Sequence, residues 1–161
     1  MSTRHTLTAM LVLALAGTGV ALAATKTISD KKGDAQKGHA DLKAARFSDT
    51  AHTLVFKITT YNTFKTRNAP CVSLSQPLKH PPGDMFVVCG NGKIDNFRTG
   101  GSAGSAKVSR PNQSTVIYRI PRRILSGKKA IGWAIQVRDA ACKDLCDQAP
   151  EGPGTHIVQR L

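Results

Sequence analysis

The residues of this 161-residue chain best suited to chemistry are its four cysteines, a set of spaced acids and a block of cations. Cys142 and Cys146 lie in "CKDLCD" with three residues between them. That is not the C-x-x-C of dithiol oxidoreductases, and no βαβ pattern surrounds it. A zinc site would need two further ligands at fixed spacing, and only His156 is near. A disulfide that shapes the local loop fits this segment best. Cys71 and Cys89 make the second expected pair. If they face each other across two antiparallel strands, paired residue numbers sum to 160, so Val72 meets Val88 and Leu74 meets Phe86. The turn then centres on His80 in "LKHPPGD", where proline and glycine suit it. Opposed residues at a non-hydrogen-bonded position are close enough for a disulfide.

Asp30, Gly33 and Asp34, followed by Asp41, offer hard oxygen ligands for calcium, with Asp147 as a further one. The competing expectation is solvated charge on a mobile segment. Between Asp95 and Asp139 every charged residue is a cation, including Arg110, Arg119, Arg122, Arg123, Lys128 and Lys129. Such a block can bind an anionic polymer or acidic glycan by releasing its counterions, or can serve solubility alone. Aromatic side chains free to stack on bases are scarce, which argues against sequence-specific nucleic-acid reading.

Two enzymatic patterns are weaker. "GGSAG", Gly100 to Gly104, matches the G-x-S-x-G string around Ser102, but that string needs a strand before it and a helix after it. His39, His52, His80 and His156 are dispersed, and no partner for any of them is evident from spacing.

Elements must position these groups. "MSTRHTLTAMLVLALAGTGVALAA" has Arg4 ahead of an apolar run that closes on Ala21-Leu22-Ala23, which reads as a secretory signal over residues 1–23. Its removal leaves no membrane span and takes away one of 23 Lys+Arg and none of the 10 Asp+Glu, so a net charge of +13 becomes +12. Export places the cysteines where thiols oxidise. Residues 24–39 lack an apolar period and are expected to be a flexible N-terminal segment, with one domain over 40–161.

"HTLVFKITT" alternates with period two, and "DLKAARFSD" before it reads as its hairpin partner. After the "GNGK" turn a short strand is expected to reach Phe97, and "RTGGSAGSA" to form a loop. "AKVSRP" and "STVIYRIP" are further strands, "RRILSG" a single helical turn, and "AIGWAIQVR" a strand with Ile131, Trp133, Ile135 and Val137 inward and small or polar residues outward. Short strands with almost no helix predict an all-β, two-sheet antiparallel sandwich of jelly-roll or immunoglobulin-like type.

The order "GD…DL", "HTLVFKITTY", "STVIYRIPRRIL", "IGWAIQV" and "CDQAPEGPG" resembles small exported bacterial sandwich proteins. More distantly it resembles the jelly-roll domains of carbohydrate-binding module family nine and their DOMON-like relatives, from about Asp30 to the C-terminus. The resemblance implies the fold and hints at sugar binding, which in family nine uses two tryptophans. This chain has one, Trp133. Together these features lead us to expect a secreted, non-catalytic binding module, extracellular or in the cell envelope, for an anionic or carbohydrate polymer. A small secreted hydrolase or nuclease, or a structural or inhibitory protein-binding domain, are the alternatives. No cofactor other than calcium is implied, and the oligomeric state is open.

Overall fold

A computed structural model describes residues 25–75, 85–139, 142, 145–151 and 157–161. The expected signal (1–23), the turn at His80 and His156 lie outside these residues. Among those described, no helix is long and apolar enough to cross a membrane.

The chain is a sandwich of two antiparallel sheets. The first, five-stranded, runs in the order β1 (Thr25–Ser29), β2 (Leu42–Asp49), β3 (Thr53–Thr60), β9 (Thr115–Pro121), β8 (Lys107–Asn112). The second, seven-stranded, has β10 (Ala130–Val137) beside β4 (Cys71–Ser75), then β5 (Phe86–Val88), β6 (Lys93–Asn96) and β7 (Gly101–Ser105). On the far side of β10, β11 (Asp147–Ala149) pairs with its last residues and β12 (Ile157–Arg160) with its first. The neighbours β3 and β9 each lead into the neighbours β4 and β10, so two crossings between sheets run side by side.

Alternation builds the core. Phe47 and Phe56 oppose each other on the inner face of the first sheet, beside Tyr118 opposite Phe56, and all three are fully buried. Trp133 enters from the second sheet, 6.0 Å from the Phe47 ring centre and 5.5 Å from that of Phe56. Aromatic groups at such separations gain both buried area and favourable ring contacts. The Tyr118 hydroxyl donates to the Pro70 carbonyl at 2.7 Å, so this buried phenol is satisfied. Its burial pushes its pKa up.

The cysteine-based register is the one observed. Val72 pairs with Val88, Ser73 with Val87 and Leu74 with Phe86. Cys71 and Cys89 are disulfide-bonded with Cα atoms 4.3 Å apart, and Cys142 is bonded to Cys146 across 5.1 Å. The β2–β3 hairpin, the β9 strand and the turn after Pro121, a 3-10 turn at Arg122–Leu125 that buries Leu125, also match, and β9 buries Val116, Tyr118 and Ile120.

Three expectations are corrected. The stretch 24–39 is not simply flexible: Thr25–Ser29 forms edge strand β1, fully registered on β2, so the sandwich begins before residue 40. Backbone pairing holds it, since of its side chains only Ile28 packs toward the core. "GSAGS" within the expected loop is edge strand β7, paired with β6 around a register shift at Ile94/Asp95. Finally, Ala134 and Gln136, expected on the open side of β10, are buried. The Arg138 side chain donates from Nε to Gln136 and stacks on Phe97, while Gln136 donates to Gln148.

Candidate functional site

Two charged arrangements stand out, an acidic cluster at one end of the sandwich and a cationic surface on the outer face of the five-stranded sheet.

The acids anticipated for calcium come together. Asp30 follows β1, Asp34 lies in the loop beyond it, Asp41 immediately precedes β2 and Asp147 opens β11. Carboxylate oxygens of Asp34, Asp41 and Asp147 lie within 4.8 Å of one another, and so do those of Asp30, Asp34 and Glu151. Two oxygens on one calcium ion, each about 2.4 Å from it, can be at most about 4.8 Å apart. Glu151 was not anticipated. It reaches the cluster because β11 turns back along β10.

The Cys142–Cys146 staple places this end. Cys146 donates its backbone N–H to Val137 and accepts one from Gln36, tying the loop between β1 and β2 to the residue before Asp147. Asp147 accepts from Leu42 N at 2.7 Å and from Gln148 N at 2.8 Å, while Asp41 Oδ2 accepts from Gly33 N at 2.9 Å. Asp30 Oδ2 and Asp41 Oδ1 are buried and accept no hydrogen bond among the described residues. A cleft of about 360 Å³, lined by Lys31, Asp34, Asp147 and Glu151 among others, opens on the cluster.

Burial and the neighbouring Asp147, Asp34 and Glu151 carboxylates push the Asp30 carboxyl up to about 7, against a Lys31 backbone hydrogen bond that lowers it. Burial, with Asp34 and Asp41, also raises Asp147, against two backbone hydrogen bonds. The cluster therefore prefers added positive charge.

The sequence block of cations does not form one surface. Arg122 bonds Asp49 at 3.0 Å, an ion pair in which Asp49 is buried and its carboxyl raised by that burial despite the guanidinium. Arg123, Lys128 and Lys129 lie around the 3-10 turn at the end of the sandwich opposite the acids. Arg110 joins the crossing loop between β3 and β4, donating to Phe64 O at 2.6 Å and Thr66 Oγ1 at 2.8 Å. Only Arg119 of the anticipated set lies on a sheet face.

There it meets cations that the sequence reading missed. Across the outer face, Thr25, Ser48, Val55, Arg119 and Lys107 form one cross-strand row, and Thr27, Arg46, Lys57, Ile117 and Ser109 the next. Arg46 directly opposes Lys57, and Arg119 opposes Lys107. All four are exposed, and neither row contains an acid. Directly opposed side chains stand about 5 Å apart at Cβ, and like charges there are unfavourable. The hairpin itself carried the signal: its paired numbers sum to 103, as in Phe47 with Phe56, which sets Arg46 against Lys57.

Among the described residues the enzymatic patterns do not assemble. Ser102 sits on edge strand β7, which is followed by β8 and no helix. His39 Nδ1 is 3.8 Å from Asp139 Oδ2, beyond hydrogen-bond range. His52 lies in the β2–β3 turn at the opposite end. His39 also approaches Cys142 and Cys146, but their sulfurs are bonded to each other and are not available as thiolate ligands. No protein-family model and no curated protein matches the sequence.

Without added divalent cation, the raised Asp30 carboxyl has a defined effect on stability. The folded state keeps this proton up to about pH 7, whereas the unfolded chain releases it near 3.8. Between those values the folded state binds more protons, so Asp30 makes stability fall as pH rises, with no such contribution below the unfolded value. Denaturant unfolding in chelator from pH 4 to 7 is expected to show wild type losing stability relative to Asp30→Asn. Parallel profiles would refute the assignment.

Proposed function

We propose that this protein is an exported, non-catalytic binding module that holds an anionic polymer against the outer face of its five-stranded sheet. The observation that carries the reading is the pair of opposed like-charge couples, Arg46 with Lys57 and Arg119 with Lys107, on rows without an acid. Such couples cost stability in the free protein, and a polyanion crossing the strands relieves that cost while releasing counterions. Small neighbours, Ser48, Ser109, Thr25 and Thr27, keep the surface flat enough for an extended chain. A sugar clamp between tryptophans has no support here, since the single tryptophan, Trp133, is fully buried between the sheets. The acidic groups of the polymer, and not apolar sugar faces, are what the surface recognises. Two disulfides accord with an oxidising compartment outside the cytoplasm.

Heparin serves as a probe polyanion. Replacing Arg46 by Ser and Lys57 by Thr together is expected to lower the salt concentration that elutes the protein from immobilised heparin. Replacing Lys128 and Lys129 by Ser is expected to change it little. Equal losses from the two pairs would contradict a role for the sheet face in particular.

A second reading belongs to the acidic end. A divalent cation of the calcium type, held by one of the two carboxylate trios that share Asp34, either Asp34, Asp41 and Asp147 or Asp30, Asp34 and Glu151, would place positive charge beside a buried carboxylate oxygen without a partner and fix the loop against the staple. Calcium at a hundred times its dissociation constant should then stabilise the oxidised protein by about 2.7 kcal/mol, raising Tm reversibly with chelator. Asp34→Asn, at an exposed position, should abolish the response. A Tm indifferent to calcium and chelator would end this reading.

A further inference from the structure

A groove of about 700 Å³ lies where the loop from Tyr61 to Pro70 crosses between the sheets, closed on its other side by the β8–β9 turn. Its charged lining is Lys65, Arg67 and Arg110, and its neutral polar lining includes Thr63, Asn68 and Gln113. No acid lines it. We infer that this groove binds a single oxyanion group, the phosphate or carboxylate of a small molecule or sugar unit, at the Lys65, Arg67 and Arg110 side chains. The inference goes beyond the polymer-binding face, because Arg110 leaves β8 toward the crossing loop and shares no cross-strand row with Arg46, Lys57, Arg119 or Lys107.

The groove is built in advance of a ligand. The Arg110 guanidinium is 4.6 Å from the Phe64 ring centre, and its two terminal nitrogens are held by Phe64 O and Thr66 Oγ1. Its Nε is buried and has no hydrogen-bond acceptor among the described residues. A guanidinium fixed in this way presents its remaining donors without the ordering cost of a free surface arginine. Phe64 beneath it is buried, so the stacking platform cannot swing away.

The loop that carries the other two cations is equally constrained. Phe64 N donates to Gln113 O, Asn68 N to Lys65 O, and the 3-10 turn Thr66–Asn68 is seated on Gly90. A Cβ added at Gly90 would stand 2.2 Å from Thr66 O, so only glycine permits this approach. Lys65 and Arg67 are exposed on the groove side of that turn. Beside the groove, Asp139 Oδ2 accepts from Asn68 Nδ2 at 3.3 Å and also faces His39. Charge-assisted hydrogen bonds from a preplaced arginine, with two further cations alongside, suit an oxyanion better than any neutral group.

The test uses the full oxidised protein and follows backbone amide resonances during titration with inorganic phosphate, D-glucuronate and, as a neutral control, D-glucose. Amides of residues 63–68, 110, 112 and 113 are expected to move saturably with an oxyanion, with a dissociation constant on the order of 1 mM. Phosphate alone, glucuronate alone, or both would each support the groove and would say which group it prefers. Replacing Lys65 and Arg67 by Ser, at exposed positions, should weaken binding at least about tenfold, as expected for lost charged hydrogen bonds. Arg110→Lys, which keeps the charge but loses the fork, should weaken it as well. Arg46→Ser with Lys57→Thr should leave it unchanged, which separates failure of the groove from failure of the polymer-binding face. The inference is overturned if neither oxyanion moves these amides, if glucose moves them equally, or if both groove variants bind as wild type does.

Discussion

The packing of Trp133 against Phe47 and Phe56 is the constraint from which the proposed binding surface follows. A strand alternates faces at every residue, so a shift of one position would expose the whole buried set. With Phe47 and Phe56 committed inward, their neighbours Arg46 and Lys57 must point outward, and the register that brings the two rings into contact sets the two cations against each other. Tyr118 does the same for Arg119 on β9, bringing it opposite Lys107. The core thus dictates a charge arrangement that the isolated protein has no reason to favour.

The two disulfides act at different levels. Cys71–Cys89 locks the register of β4 on β5, on the outer face of the second sheet, where Cys71, Ser73 and Val87 are already buried. That sheet is closed on its outer side in part by Arg138 and Phe97, which leaves the first sheet as the open face. Cys142–Cys146 spans four residues and closes too small a ring to contribute much loop entropy. Its consequence is positional, since it holds Cys146 against both Val137 and Gln36 and so delivers Asp147 to the acids of the β1–β2 loop.

Much of this was legible in the sequence, for physical reasons. Cysteine parity and apolar alternation determined the β4–β5 pairing, the β2–β3 hairpin and the inward side of β10 down to single residues. The acids at 30, 34, 41 and 147 could be named because hard-ligand types were few. Strands β1 and β7 were not legible: "TKTIS" and "GSAGS" bury almost nothing, and edge strands held by backbone hydrogen bonds leave no apolar period. The cationic surface was misplaced because charge was counted along the chain. Contiguous cations from Arg110 to Lys129 are dispersed to an ion pair, a groove, a sheet face and a turn, whereas the couples that matter join residues 11 and 12 apart through pairing.

The central claim is that a polyanion lies across the outer face of the five-stranded sheet, and amine footprinting tests it most directly. The oxidised protein is acylated at lysine with and without a heparin oligosaccharide, and each site is quantified by mass spectrometry. The account predicts that Lys57 and Lys107 become protected while Lys128 and Lys129 stay reactive. Protection at Lys128 and Lys129, with Lys57 and Lys107 unchanged, would contradict it.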